Sequence, residues 1–329
     1  MIKLNSLQYP NVQDLHITNE LSLDILKNND DFLKVENELK AKYSFSDLVT
    51  FSFCKSGFLG LFLELKKKGK IAVCVGESYA IIQAAKAYED LGFPLVWIDL
   101  EKNGQVNKKQ LENANVDFIF ISSYVIDTFV KTDLAEVKKL SSAKIISNAS
   151  ADFSKSSDAI YFDTYKLTGF ALSSCLLFNN ELFEEQVIGF KDVVAVNSIN
   201  ESLKIQNFET SQKELFKEKL INAFADDIYF FVDSKDTLEY SLHFALKNIK
   251  AREIIRTLAL NSILITNGEG CSLGLSMPSR VIQAMGYEEL ISRNAISLTF
   301  TQSFEVEEIE KIVNTFSKKY RQIRVLNEL

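Results

Sequence analysis

Residues Ser262 to Gly286 read SILITNGEGCSLGLSMPSRVIQAMG. The stretch opens on a short apolar, β-branched run and breaks at Asn267-Gly268-Glu269-Gly270. It then presents Cys271 among small residues (Ser272, Gly274, Ser276), and Pro278 opens an amphipathic segment that ends at Gly286. These signals predict a strand, a loop and a proline-started helix. A cysteine on a glycine-flanked loop can reach a substrate, whereas one inside an apolar run is usually packing. Spacing alone also admits a turn that merely holds a small thiol, because thiolate reactivity depends on the microenvironment. The glycines at 268, 270 and 274 are one residue too widely spaced for a dinucleotide fingerprint, and they lie late in the chain.

Working outward, strands and helices alternate on the N-terminal side. A helical period runs from Phe32 to Lys42. Lys70–Val75 reads as a buried strand, Glu77–Leu91 as a helix with apolar residues at helical spacing, and Phe93–Ile98 as a strand. Asp117–Ile121, a helix near Asp133–Leu140 and Lys144–Ile146 repeat the unit. Such alternation predicts a mostly parallel sheet covered by helices. Ala159–Phe162 and Phe170–Phe178 stand too close for a helix between them and read as a local hairpin. From about Asn200 the order changes to a helix (Gln212–Phe224), two strands (Ile228–Val232, Tyr240–Ala245), a helix (Arg252–Leu260), the Cys271 unit, a strand (Ile296–Phe300) and a final helix from near Ser303. The expected fold is α/β, with a large domain over 21–199 and a smaller α+β domain formed by 1–20 and 200–329.

Bulk properties narrow the function. The 329 residues, 47% hydrophobic and 25% charged, suit a globular protein large enough for two lobes. A net charge of −7 without a basic block argues against nucleic acid as a partner. No apolar core follows Lys3, so no signal peptide is expected, and the apolar region Leu48–Leu65 is too broken to span a bilayer. Four scattered cysteines without a CxxC pair argue against zinc and disulfides, and two histidines against a multi-histidine metal centre. A reducing, cytoplasmic location is expected. Cys74 and Cys175, inside apolar runs, read as core.

Gly270-Cys271-Ser272-x-Gly274, followed by Pro278-Ser279-x-Val281-Ile282-x-Ala284-Met285-Gly286, resembles the catalytic-cysteine loop of the cysteine desulfurases. These are pyridoxal phosphate (PLP) enzymes of the class V aminotransferase superfamily. The resemblance implies PLP-transferase fold type I, PLP as cofactor, and Cys271 as the thiol that takes sulfur from substrate cysteine as a persulfide. It also implies a small amino-acid substrate, a sulfur-acceptor protein and a homodimer. Such an enzyme needs a lysine for the cofactor, donors for its phosphate, an acid against its ring nitrogen and a flat group over the ring. The lysine is Lys166 in Asp163-Thr164-Tyr165-Lys166-Leu167-Thr168-Gly169, at a strand end that would aim it into a cleft. Lysine first and cysteine loop about a hundred residues later is again the family's order.

The likeness spans roughly Asp47 to Val325 and is dense only at these two motifs. The family's phosphate loop corresponds to Cys54-Lys55-Ser56, where Ser56 keeps a hydroxyl and Gly57 leaves backbone donors free. Its ring-stacking histidine falls at Ser78, with Tyr79 as a possible substitute. The acid facing the ring nitrogen falls at Asn148, with Asp152 nearby, and the phosphate-binding serine falls at Asp163. The arginine that clamps the substrate carboxylate falls at Ser297, with Arg293 four residues earlier. Three readings follow: a desulfurase acting through Lys166 and Cys271, a homologue that keeps the fold without the reaction, or another class V reaction.

Overall fold

The computed structural model of the chain describes residues 1–6, 30–171, 173–186, 190–269 and 277–327. Its elements run β1 (Ile2–Lys3), α1 (Asp30–Tyr43), β2 (Asp47–Ser52), α2 (Lys55–Lys66), β3 (Ile71–Cys74), α3 (Tyr79–Asp90), β4 (Leu95–Ile98), α4 (Lys108–Asn113), β5 (Phe118–Phe120), α5 (Leu134–Leu140), β6 (Lys144–Asn148), β7 (Ala159–Tyr161), α6 (Thr164–Thr168) and β8 (Ser173–Phe178). They continue as α7 (Val193–Ile205), α8 (Lys213–Phe224), β9 (Ile228–Tyr229), β10 (Ser241–Leu246), α9 (Ala251–Ala259), β11 (Ile263–Leu264), α10 (Arg280–Ala284), α11 (Glu289–Ser292), β12 (Ala295–Thr299) and α12 (Val306–Asn327).

A seven-stranded sheet has the order β2-β8-β7-β6-β5-β3-β4. From β4 to β7 its neighbours are parallel, and β8 runs antiparallel to both β7 and β2. All four residues of β3 are apolar and buried, as a central strand covered on both faces requires. Alternation along the strands feeds two cores. Val73, Phe120, Ile146 and Leu176 pack with α2 and α3 on one face, while Ala72, Ile119, Ile145 and Leu177 pack on the other. A second, antiparallel sheet, β12-β10-β9, shares its core with α8, α9 and α12. The expected α/β architecture with a smaller α+β part is therefore what the chain adopts.

One expectation is corrected. β7 and β8 do pair antiparallel, but α6 fits between them. Asp163 caps it through Oδ1, which accepts the Lys166 N–H at 3.2 Å, and Gly169 ends it at φ +79°. A capped single turn needs so few residues that hydrophobic periodicity cannot reveal it. The broken apolar region Leu48–Leu65 resolves into β2 and α2. The segments leaving the carboxyl ends of β3, β5, β6 and β7 gather at one edge of the large sheet, where open α/β sheets bind ligands.

Candidate active site

Lys166 lies in that edge because α6 turns it inward: it is only 7% exposed. Its Nζ stands 3.4 Å from Asp163 Oδ2 and 4.0 Å from Glu269 Oε1. Burial pushes the ammonium's pKa down, but Asp163, Glu269 and Asp127 push it up and prevail. The amine is therefore held charged. Glu269 is raised, first by burial and further by Asp127 and Asp163, against the pull of Lys166 and Arg280.

Asp127 organises the far side. Its Oδ1 accepts the Glu269 N–H at 2.7 Å and its Oδ2 accepts the Ser279 hydroxyl at 2.9 Å. One carboxylate thus binds both stems of the segment that carries Cys271. Gly268 lets this happen, for a Cβ there would lie 2.3 Å from Asp127 Oδ1 and its φ is +107°. Glu269 in turn accepts the Tyr79 N–H at 2.7 Å, so its carboxylate sits at the positive end of α3.

Beneath them, Glu77 is 2% exposed and accepts the Tyr161 hydroxyl at 2.9 Å. Burial pushes its carboxyl up to about 7, against hydrogen bonds from Ser122 and Tyr161 and the charge of Arg280. The Arg280 guanidinium donates to the carbonyls of Val75 and Glu77. Ser122 Oγ accepts the Asn148 N–H at 2.9 Å, which ties the ends of β5 and β6 together.

The residues singled out in the sequence divide as follows. Lys166 and the stem of the Cys271 loop meet through Glu269, and Ser78 adjoins them through Tyr79. Cys271 itself lies outside the described residues. Ser78 is fully buried and its hydroxyl has no hydrogen-bond partner. Asn148 is buried, and its side-chain oxygen accepts the Ser150 N–H at 2.9 Å. Ser56 is exposed and Gly57 half-buried at the start of α2, without a hydrogen bond or ion pair to Lys166 among the described residues. A Cβ at Gly57 would fall 1.9 Å from the Ser52 carbonyl oxygen, so glycine permits the tight entry to the helix. Ser297 is spent on the Asp127 carbonyl, to which its hydroxyl donates at 2.8 Å. Arg293 pairs with Glu289. Cys74 and Cys175 are core, as expected.

Sequence reasoning passed over Asp127, Glu269, Glu77 and Arg280. The signal at Asp127 was available: an acid inside the apolar run Tyr124–Val130 needs a buried partner.

No family model matches the chain. A putative cysteine desulfurase, IscS 1, from Bacillus subtilis is 24% identical over 245 residues, 65% of this chain and 65% of that protein. The chain thus spans just under two thirds of that relative's length. A cysteine desulfurase IscS from Pasteurella multocida is 20% identical, over 80% of this chain and 73% of its own. Among solved structures, a NifS-like protein from Rickettsia africae superimposes with a TM-score of 0.68 at 16% identity, covering 88% of each chain. The chain has the cysteine desulfurase-like, class V aminotransferase fold. In fold it is a type I PLP-dependent enzyme, and its likeness to cysteine desulfurases supports PLP as its cofactor.

The residues present fit that cofactor at two points. Lys166 is a buried amine at the ligand-binding edge. The start of α2 offers N–H groups to an anion: those of Ser56 and Gly57, with the Ser56 hydroxyl, hold the exposed Cys54 thiol below its ordinary pKa against the opposing effect of burial. At Ser78 and Asn148 a hydroxyl and an amide replace a stacking ring and an acid. Asp163 brings a carboxylate to within an ion-pair distance of Lys166 instead of a hydroxyl.

Proposed function

We propose that this protein is a PLP-dependent, cysteine desulfurase-like enzyme with a divergent site. Lys166 holds the cofactor, Ser56 and Gly57 serve its phosphate, Ser78 and Asn148 line its ring, and Cys271 is the sulfur-accepting thiol. One observation carries the reading: Glu269, two residues before Cys271, stands 4.0 Å from Lys166 Nζ, so two motifs distant in sequence converge. When bound, PLP supplies an electron sink that labilises bonds at the substrate's α carbon. The Cys271 thiolate attacks the sulfur of substrate cysteine. An S–S bond forms as the C–S bond breaks, its electron pair stays on carbon, and a proton taken up there gives alanine. Asp163 and Glu269 hold the Lys166 ammonium as the local proton donor. A homodimer, a cytoplasmic location, a sulfur-acceptor protein and a division into lobes at residue 199 belong to the same proposal.

The test is the visible absorbance of purified protein titrated with PLP, beside Lys166→Ala and Lys166→Arg. The arginine variant keeps the buried charge and so guards against misfolding. A visible band lost in both variants is expected, followed by sulfide release from cysteine that Cys271→Ser abolishes. No band at saturating PLP overturns the reading.

A second reading, a homologue without the reaction, is favoured by the three carboxylates that neutralise Lys166. It predicts a colourless protein with the same fold.

A further inference from the structure

His243 on β10 stands directly opposite Ser297 on β12, so the two side chains share one face of the second sheet. Ser297 binds outward in two directions, its N–H to the Thr266 carbonyl at 2.8 Å and its hydroxyl to the Asp127 carbonyl at 2.8 Å. Asn267 and Thr128 are the residues next to those two contacts. His243, Thr128 and Asn267 are 2%, 0% and 9% exposed. Yet Nδ1 and Nε2 of His243, Oγ1 of Thr128 and Oδ1 of Asn267 have no hydrogen-bond partner among the described residues.

A buried polar atom left unpaired costs about 1–3 kcal/mol, and native proteins leave few of them. Four such atoms around one serine call for a partner. Backbone strain marks the same place: Asp127 and Phe129, on either side of Thr128, hold left-handed φ values of +69° and +58°. The chemistry of the partner follows from the donors and acceptors. Burial pushes His243 down to about 3, so its ring is neutral, one nitrogen donating and the other accepting. Thr128 can do both, and Asn267 Oδ1 only accepts. Phe231 walls the imidazole at a ring distance of 5.7 Å. The charges beyond the seam are the Asp127 and Glu269 carboxylates on the Lys166 side, which disfavour a further anion.

We infer that the seam of Thr128, His243 and Asn267 is a subsite for a neutral group with both N–H and C=O, a primary amide, on the amino substrate proposed above. It rests on that reading for the substrate's amine and replaces a carboxylate clamp with a neutral one.

The chain has two histidines, so the side-chain 15N signals of His243 can be assigned in a His16→Gln background. That protein, with PLP added, is titrated with L-alaninamide, L-alanine and ethylamine. L-Alaninamide is expected to shift the His243 signals saturably and to bind about tenfold tighter than either analogue. Thr128→Val and His243→Phe should each remove most of that preference. Equal or tighter binding of L-alanine, His243 signals that do not move with L-alaninamide, or affinity unchanged in both variants overturns the subsite. The visible band and its loss in Lys166→Arg report the cofactor reading separately. A band without a His243 response sinks the subsite alone, and a response without a band sinks the cofactor alone.

Discussion

Asp127→Ala tests how the Cys271 segment is held. The wild-type carboxylate accepts two buried hydrogen bonds, from the Glu269 N–H at 2.7 Å and from the Ser279 hydroxyl at 2.9 Å. Bonds to a charged acceptor are worth about 1.5–3 kcal/mol each. Alanine also removes a negative charge that repels Glu269, which returns part of the loss, so a net destabilisation of about 3 kcal/mol is expected. Asn keeps an acceptor for Glu269 and offers its amide to Ser279, whose hydroxyl can turn to accept. Asp127→Asn should therefore lose about 1 kcal/mol. Urea unfolding followed by circular dichroism reads both.

Gly268 sharpens the test. Gly268→Ala places a Cβ 2.3 Å from Asp127 Oδ1 on a backbone at φ +107°. The steric part depends on the Asp127 side chain, and the backbone part, about 1–2 kcal/mol, does not. In an Asp127→Ala background Gly268→Ala should therefore destabilise less than in wild type, a coupling of about 1–3 kcal/mol. Additive losses, or an Asp127→Ala protein within about 1 kcal/mol of wild type, would show that this carboxylate does not staple the segment.

Further outcomes concern titration and thiols. Glu77 has its pKa raised from 4.5 to about 7 in the fold, which corresponds to about 3 kcal/mol. Its stabilising contribution is complete below pH 4.5 and lost as pH rises through 7, so wild type should lose that much more stability than Glu77→Gln between pH 4.5 and 8; parallel profiles would contradict it. Lys166 has a folded pKa raised above 10.5, so its contribution is whole below 10.5 and lost above its folded pKa. Lys166→Met should thus be most destabilised relative to wild type below pH 10.5, with a gap that narrows in stronger alkali. The His243 side-chain 15N signals should not titrate between pH 5 and 8. Brief iodoacetamide labelling at pH 7, read by mass spectrometry, should modify Cys54 ahead of Cys74 and Cys175, whose thiols are buried; equal labelling of the three would contradict it.

How much of this was legible depends on the range of each interaction. The large sheet was readable because its signal is local: Ile71–Cys74 and the apolar face of Tyr79–Asp90 each declare themselves within one element, and packing agrees with them. Lys166 and Cys271 were readable as motifs, but what surrounds Lys166 was not. Its nearest acid, Asp163, is three residues away and also visible as a helix cap, whereas Glu269 and Asp127 come from segments remote in sequence. No periodicity encodes such a meeting. It follows from topology, because the carboxyl ends of parallel strands share one edge and the second sheet closes over it. The same limit explains Ser297. In the sequence it reads as an arginine lost from a clamp, but in the fold its hydroxyl binds the Asp127 carbonyl beside an unpaired imidazole. A lost charge and a rebuilt neutral site look identical in the sequence. Only the partners left without hydrogen bonds tell them apart.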